Sequence, residues 1–257
     1  MTSSSKNLYH VQGVDTRRLL DTYFSNKPDM AFVKDSLQNP MEKLHQTLIR
    51  GHIKGNILAD LSMGPVIHHL YSFCGLFNDI IVMRLTERCI MELNKWRHNR
   101  TGAYDWSHAT NHITQLEGKC DEEKELTLKT TIKQVVRCNL EKENLIHPLD
   151  LPQADCLISA WLLECVSKDK EEYIKNLKKV VKFLKPGGHL ILLGALNGTY
   201  YTVGEETFHL LTYDEIFAKE TLTGEGFTID DCEVLPRTAE SDMTDYTSTM
   251  ILIAHKD

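Results

Sequence analysis

The chain predicts an α/β fold, a largely parallel sheet covered by helices on both faces, and three observations carry that expectation. Residues 55–85, GNILADLSMGPVIHHLYSFCGLFNDIIVMRL, read strand, tight turn, helix, strand. Residues 184–195, LKPGGHLILLGA, read helix end, Pro-Gly-Gly turn, buried strand. Around them, apolar runs alternate with segments of helical period, the pattern of strands joined by crossover helices.

In chain order, the segment up to about Gly55 is expected to be helical, in DTRRLLDTYFS (15–25) and NPMEKLHQTLIRGHIKG (39–55). In the second, Met41, Leu44, Leu48 and Ile49 fall near helical spacing, Pro40 suits a first turn and Gly51 a stop. NILADLS (56–62) reads as a buried strand. PVIHHLYSFCG (65–75) reads as a helix with Pro65 at its start, and DIIVMRL (79–85) as the second strand. TERCIMELNKWRHN (86–99) is a helix with Thr86 as N-cap. Residues 98–133 are polar and charged, with a helix expected within EEKELTLKTTIKQ (122–134). QVVRCNL (134–140) and ADCLISAWLLE (154–164) are the third and fourth strands. KEEYIKNLKKVVKFL (170–184) is an amphipathic helix and HLILLGA (189–195) the fifth strand. TYYTVGEETFHLL (199–211) suits a hairpin, and YDEIFAKETLTGEG (213–226) a helix stopped by glycine. TIDDCEVLPR (228–237) and STMILIAHK (248–256) lack a helix between them and are expected to pair antiparallel.

Composition narrows the class. The 257 residues carry 42% apolar and 25% charged side chains, ordinary for one globular domain. A net charge of -7 without a long Lys/Arg block argues against a nucleic-acid partner. No apolar run approaches the length of a membrane span, and the first residues lack the apolar core of a signal peptide. Seven cysteines with no Cys-x-x-Cys are expected to be free thiols in a cytoplasmic protein. No zincin, Walker or Gly-x-Ser-x-Gly pattern is present, so metalloenzyme, NTPase and hydrolase readings lack support, and no metal is expected.

Ligands of open α/β sheets bind beyond the carboxyl ends of the strands, where strand order reverses. The loop Asp60-Leu61-Ser62-Met63-Gly64-Pro65 is therefore the first candidate, with Asp60 either orienting the loop or meeting a cationic group. Arg84 ends the second strand, where an acidic residue would bind ribose hydroxyls. It reads as a surface Arg, as a partner of Glu87 or Asp60, or as a phosphate ligand in a dinucleotide site. Asn139 either reads an adenine-like edge or starts a turn. Trp161 is core or ligand platform, and Tyr200 and Tyr201 lie where a pocket rim would be. The adjacent His68 and His69 point in different directions and make a poor chelate.

The segments NPMEKLHQTL, HIKGNILADL, MELNKW, GAYDWS (102–107), QLEGK (115–119), VVRCNL, LPQADCLIS, LKPGGHLIL and TYYTVGEETF together carry a resemblance over nearly the whole chain. The sequence resembles the small-molecule amine N-methyltransferases, among them the nicotinamide, indolethylamine and phenylethanolamine enzymes, and most of all the nicotinamide branch. The resemblance implies a Rossmann-like class I methyltransferase fold: seven strands, doubly wound, mostly parallel with an antiparallel last strand. It implies a single domain over 1–257, with a helical lid over 1–54 and the core over 55–257. It also implies S-adenosylmethionine (SAM) as cofactor, an amine as substrate and a monomer.

Carried over position by position, the family's cofactor contacts fall on Tyr23, Phe24, Ser62, Gly64, His68, Arg84, Cys89, Asn139, Leu140 and Ala160. Its substrate contacts fall on Leu19, Gly198, Tyr201 and Leu210. Several differ from the family pattern: Ser62 stands at a glycine, Arg84 at the ribose-binding Asp, and Cys89 at an Asn. Phe24 and His68 stand at tyrosines, Asn139 at an adenine-binding Asp, Leu140 at a Val and Ala160 at a Thr. Leu19 replaces a substrate-stacking Tyr, Gly198 and Leu210 two serines, and Gly194 the acid beside the accepting nitrogen. Tyr23 and Tyr201 are retained. No catalytic residue is thereby assigned. Two readings follow: an N-methyltransferase with a remodelled site, or a catalytically inactive descendant acting as a binding or regulatory protein.

Overall fold

In the computed structural model of the protein, described over residues 7–27, 31–118 and 123–257, the sheet grows outward from β1 (Gly55–Leu61). Parallel to it lie β2 (Phe77–Arg84) on one side and β4 (Ala154–Ala160) on the other; β3 (Ile132–Arg137) extends the first side and β5 (Leu184–Leu196) the second. β9 (Ser248–Lys256), the one strand antiparallel to the rest, lies between β5 and β8 (Phe227–Pro236) and gives the order β3-β2-β1-β4-β5-β9-β8. This is the seven-stranded, mostly parallel sheet the sequence leads one to expect. Strand order reverses between β1 and β4, so their carboxyl ends open a crevice. The expected hairpin forms from β6 (Tyr200–Val203) and β7 (Glu206–His209).

Several of the helices begin at a polar cap that precedes them. Asp15 accepts from the Arg17 and Arg18 amides at α2 (Thr16–Tyr23), Thr86 from Cys89 at α4 (Glu87–Arg97), and Asp169 from Glu172 at α8 (Lys170–Val180). Such caps satisfy amides that have no partner inside the helix. Ahead of β1 lie α1 (Tyr9–Gln12), α2, a π-helical turn (Lys34–Gln38) and α3 (Asn39–Leu48), which runs on from it with Pro40 in its first turn. This cover is stitched down at several points. The buried Asp35 accepts from the amides of Thr238 and Ala239, both at 2.8 Å, and from the Thr238 hydroxyl. The Tyr23 hydroxyl donates to the Thr202 carbonyl (2.8 Å) and accepts from its amide (3.2 Å).

Four local expectations need correction. Residues 65–75 do not form an α-helix begun by Pro65; only a 3-10 helix over His68–Phe73 forms. The Val66 carbonyl, which an α-helix would offer to Leu70, accepts from Arg84 instead, and the Leu70 amide turns to Ile67. The polar stretch 98–133 holds two helices, α5 (Ser107–Glu117) and α6 (Lys124–Thr131), rather than one. β3 ends at Arg137, so Cys138, Asn139 and Leu140 lie beyond it. β4 ends at Ala160; Trp161 follows with φ +52°, and a short α7 (Leu163–Val166) takes up residues read as strand. The remaining helix, α9 (Glu215–Gly224), packs beneath β8. All cysteines among the described residues are free; Cys120 and Lys119 of QLEGK lie outside them. Among the described residues no helix is long and apolar enough to cross a membrane.

Candidate functional site

The crevice at the ends of β1 and β4 divides into two halves of opposite character. On the β2 side, polar side chains interlock. Arg84 is fully buried, which overturns its reading as a surface residue and as a ligand for an external phosphate. Its guanidinium donates to Asp60 Oδ2 (2.6 Å) and to the carbonyls of Asp60 (3.2 Å), Met83 (2.8 Å) and Val66 (2.6 Å). The other Asp60 oxygen accepts from the Ser62 hydroxyl at 2.5 Å and lies 3.0 Å from His69 Nε2. Ser62 Oγ in turn accepts from the Ala160 amide at 3.0 Å, tying the loop to β4. Burial works to raise the Asp60 pKa; the Arg84 guanidinium, His69 and Ser62 outweigh it and hold the carboxyl below its ordinary value.

The loop after β1 is closed by the protein's own groups. The Met63 amide donates to the Ala160 carbonyl (2.9 Å) and the Gly64 amide to the Tyr9 hydroxyl (3.1 Å). Gly64 has φ +56°, and a Cβ there would stand 2.6 Å from a Leu19 methyl, so α2 packs directly on the loop. Cys89 is buried against Tyr9 and Thr86, its thiol pushed up by burial. His68 is buried among the rings of Phe24, Trp106 and Trp161; burial drives its pKa well down, so it is neutral. His69 turns away from it, with an interplanar angle of 87°, toward Asp60. Asn139 is exposed and accepts from the Glu141 amide, which makes it a turn residue. Leu140 is buried, its carbonyl taken by Lys179.

Fit to SAM can be judged from these contacts. A nucleoside site at the end of β2 needs an acceptor for ribose hydroxyls, and Arg84 offers only donors. Its side chain fills the space between β1, β2 and the Val66 carbonyl, and Asp60, the nearest carboxylate, is consumed by it. The loop amides that would approach a ligand are already bonded. The residues present do not fit SAM in this half.

On the β5 side a cavity remains. It has an open mouth and a volume of about 70 Å³, with walls that are almost wholly apolar. Of the sequence-derived positions, Leu19, Tyr23, Phe24, Trp161, Tyr201 and Leu210 line it; Ser62, Gly64, His68, Arg84, Cys89, Asn139, Leu140, Ala160 and Gly198 do not. Gly198 lies just behind: a Cβ there would meet Leu210 at 2.4 Å, so Leu210 occupies the room that the glycine leaves. Gly194 shows the same substitution of space. Its Cβ would fall 1.9 Å from the Tyr213 hydroxyl and 3.5 Å from Glu164 Oε1.

Glu164 is the residue that the sequence reading missed. It sits on α7, just past β4, and its carboxylate lies beside the position where the resemblance had led us to expect an acid on β5. It is buried in the cavity wall, accepts from the Ala195 amide at 2.8 Å, and burial pushes its pKa up to about 7. Its place at the carboxyl end of a central strand was the available signal, but 154–164 had been read as one continuous strand. Tyr246, Thr249 and Ser36 also line the cavity without having been singled out. Among the described residues no group of acidic, Cys and His side chains is arranged to hold a metal.

Comparison with known proteins agrees with the architecture. The model of the NNMT/PNMT/TEMT family matches residues 4–257. Mouse indolethylamine N-methyltransferase is 35% identical over 222 residues, covering 84% of this chain and 81% of that protein. Human nicotinamide N-methyltransferase is 29% identical over 255 residues, covering 98% and 96%. Among solved structures, magnesium protoporphyrin IX methyltransferase from Synechocystis, with bound SAM, superposes with a TM-score of 0.57 at 14% identity, over 94% of this chain and 90% of that one.

Proposed function

The chain belongs to the NNMT/PNMT/TEMT family of SAM-dependent methyltransferases, and from that premise we propose that it is a non-catalytic member that binds a small, largely apolar amine in the lid-covered cavity. The observation that carries this reading is the buried Arg84–Asp60 pair, which occupies the half where the family's cofactor would lie while the other half stays open. Replacing a ribose acceptor by a donor forfeits roughly 1.5–3 kcal/mol for a charged hydrogen bond. Room for the ligand is lost as well. The amine is assigned to Glu164, among the described residues the cavity's one acidic wall residue, with no basic side chain among the described residues of that wall. Two named relatives are N-methyltransferases of indolethylamine and nicotinamide, which fits an amine-shaped pocket in this chain.

Calorimetric titration of the purified protein with SAM and S-adenosylhomocysteine tests the reading, alongside a methyl-transfer assay over a panel of amines. The expected result is no binding at millimolar cofactor and no transfer. Micromolar SAM binding with turnover overturns it in favour of the remodelled N-methyltransferase.

A further inference from the structure

Between β5, which ends at Leu196, and β6, which begins at Tyr200, the chain carries its one Asn-Gly pair, Asn197-Gly198. Asn197 is exposed and sits in a bend with φ +58°, a left-handed conformation that asparagine tolerates better than most side chains. Its backbone amide donates to the Tyr213 carbonyl (2.9 Å), and its side chain is held by one hydrogen bond, from Nδ2 to the Thr247 hydroxyl at 3.1 Å. The Gly198 carbonyl accepts from the Thr212 hydroxyl (2.8 Å), while among the described residues no group accepts from the Gly198 amide.

An unbonded glycine amide that follows a side-chain carboxamide is a nucleophile next to its electrophile. We infer that Asn197-Gly198 is a site of spontaneous deamidation, restrained by the Thr247 hydroxyl, and that its isoaspartate product disturbs the cavity wall. The Gly198 amide nitrogen gives its proton to hydroxide and attacks the Asn197 side-chain carbonyl carbon. An N–C bond forms, and the bond from that carbon to Nδ2 breaks as the nitrogen takes a proton from water and leaves as ammonia. Water then opens the cyclic imide at either carbonyl, to aspartate or to isoaspartate. The sum is one water consumed, one ammonia released and one carboxylate gained, with no oxidant or reductant. Residues 197–199 lie outside both strands, so ring closure breaks no sheet hydrogen bond, and glycine, lacking a Cβ, leaves its nitrogen unshielded.

Isoaspartate carries the main chain through the former side chain and adds one methylene ahead of Gly198, where there is no slack. A Cβ on Gly198 would stand 2.4 Å from a Leu210 methyl and 3.1 Å from Tyr246 Cβ, and both residues line the cavity. The added atom therefore displaces Leu210 and Tyr246, because a close-packed wall transmits such a shift. Aspartate keeps the parent backbone and only exchanges an amide for a carboxylate beside Thr247. None of this depends on what the cavity holds.

The test is prolonged warm incubation of the purified full chain at pH 7 and at pH 8, followed by peptide mapping with fragmentation that separates aspartate from isoaspartate. The expected result is a gain of one dalton confined to the peptide that carries Asn197, with isoaspartate among the products. The gain should be about tenfold faster at pH 8 than at pH 7, because the attacking amide must first lose its proton. Asn197→Gly, which accepts the positive φ without the reactive side chain, should abolish the gain with little change in melting temperature. Thr247→Val, which releases the side chain, should speed the gain severalfold. Aged protein should melt below Asn197→Asp, since only isoaspartate lengthens the main chain. No gain at Asn197 over weeks, or a gain spread evenly over other asparagines, overturns the site. A rate indifferent to Thr247→Val overturns the restraint, and aged protein that melts together with Asn197→Asp overturns the link to the cavity wall. SAM or amine binding bears on none of these outcomes.

Discussion

Arg84 decides the character of the site by itself. A buried guanidinium with one carboxylate and three carbonyl partners is costly to assemble and more costly to break, because removing one charge leaves the other uncompensated. Arg84→Met should therefore cost roughly 3–5 kcal/mol in urea unfolding, with Asp60 left to His69 and Ser62. Asp60→Asn combined with Arg84→Met should recover most of that loss; an additive double variant would show that the two side chains do not act as a pair. The folded-state pKa of Asp60 is depressed, so its contribution is present above the unfolded carboxylate range and is lost as pH falls through the lower folded value, a strictly acid window. Gly194 makes a second single-residue case. Its Cβ has no room because of the Tyr213 hydroxyl. Gly194→Ala should destabilise by about 1–3 kcal/mol by overpacking, and Tyr213→Phe should relieve much of it. Equal costs in both backgrounds would mean that the hydroxyl is not what excludes a side chain.

At the scale of elements, α7 carries the acidic wall residue Glu164 and makes the stability of the protein depend on pH in a direction opposite to Asp60. The pKa of Glu164 is raised in the folded state, so folding holds its proton more tightly than the unfolded chain does. Stability then falls as pH rises from the ordinary carboxylate range toward 7, and the penalty is complete above that. Glu164→Gln should remove a penalty on the order of 3 kcal/mol at pH 8 and almost none near pH 4. Melting temperatures of the two proteins across that range would show the gap widen with pH, and a constant gap would place the carboxylate in water. Most of the sheet was legible in sequence because buried parallel strands are near-continuous apolar runs, as in Ile57–Leu61 and Ile80–Met83. α5 was not, since it buries only Ala109 and Ile113 and shows too narrow an apolar stripe to register. The 3-10 segment was misread because its six residues are all buried and carry no helical period. Of the positions carried over as substrate contacts, Leu19, Tyr201 and Leu210 line the cavity and Gly198 does not, while Tyr23 and Phe24, carried over as cofactor contacts, line it too. Arg84 was misplaced because local pattern records that an Arg is present, not that a carboxylate one strand away waits for it. Asp60 had been named among its partners, and the geometry selects that pairing.

For the whole molecule, the consequence is a lid that is closed by its own contacts and needs no cofactor to hold it. Tyr9 reaches the Gly64 amide, Arg17 pairs with Glu92 at 2.5 Å, Tyr23 clasps Thr202, and Asp35 anchors the loop between β8 and β9. Leu19 and Phe24, buried between these anchors, roof the cavity. The cavity keeps an open mouth, so a ligand can enter with this cover in place, and local opening of the cover with the ligand bound is disfavoured by its binding free energy. Amide hydrogen exchange should therefore slow in Thr16–Tyr23 and Tyr200–Val203 when an amine that binds the cavity is added. The factor should approach about a hundredfold at a ligand concentration a hundred times Kd, while β1, β2 and β4 keep their exchange rates. SAM at the same excess should leave every segment unchanged. Slowing by SAM at residues 60–68 and 84–89 would locate a nucleoside in the half that Arg84 fills, and would require that the Arg84–Asp60 pair swing apart to admit it.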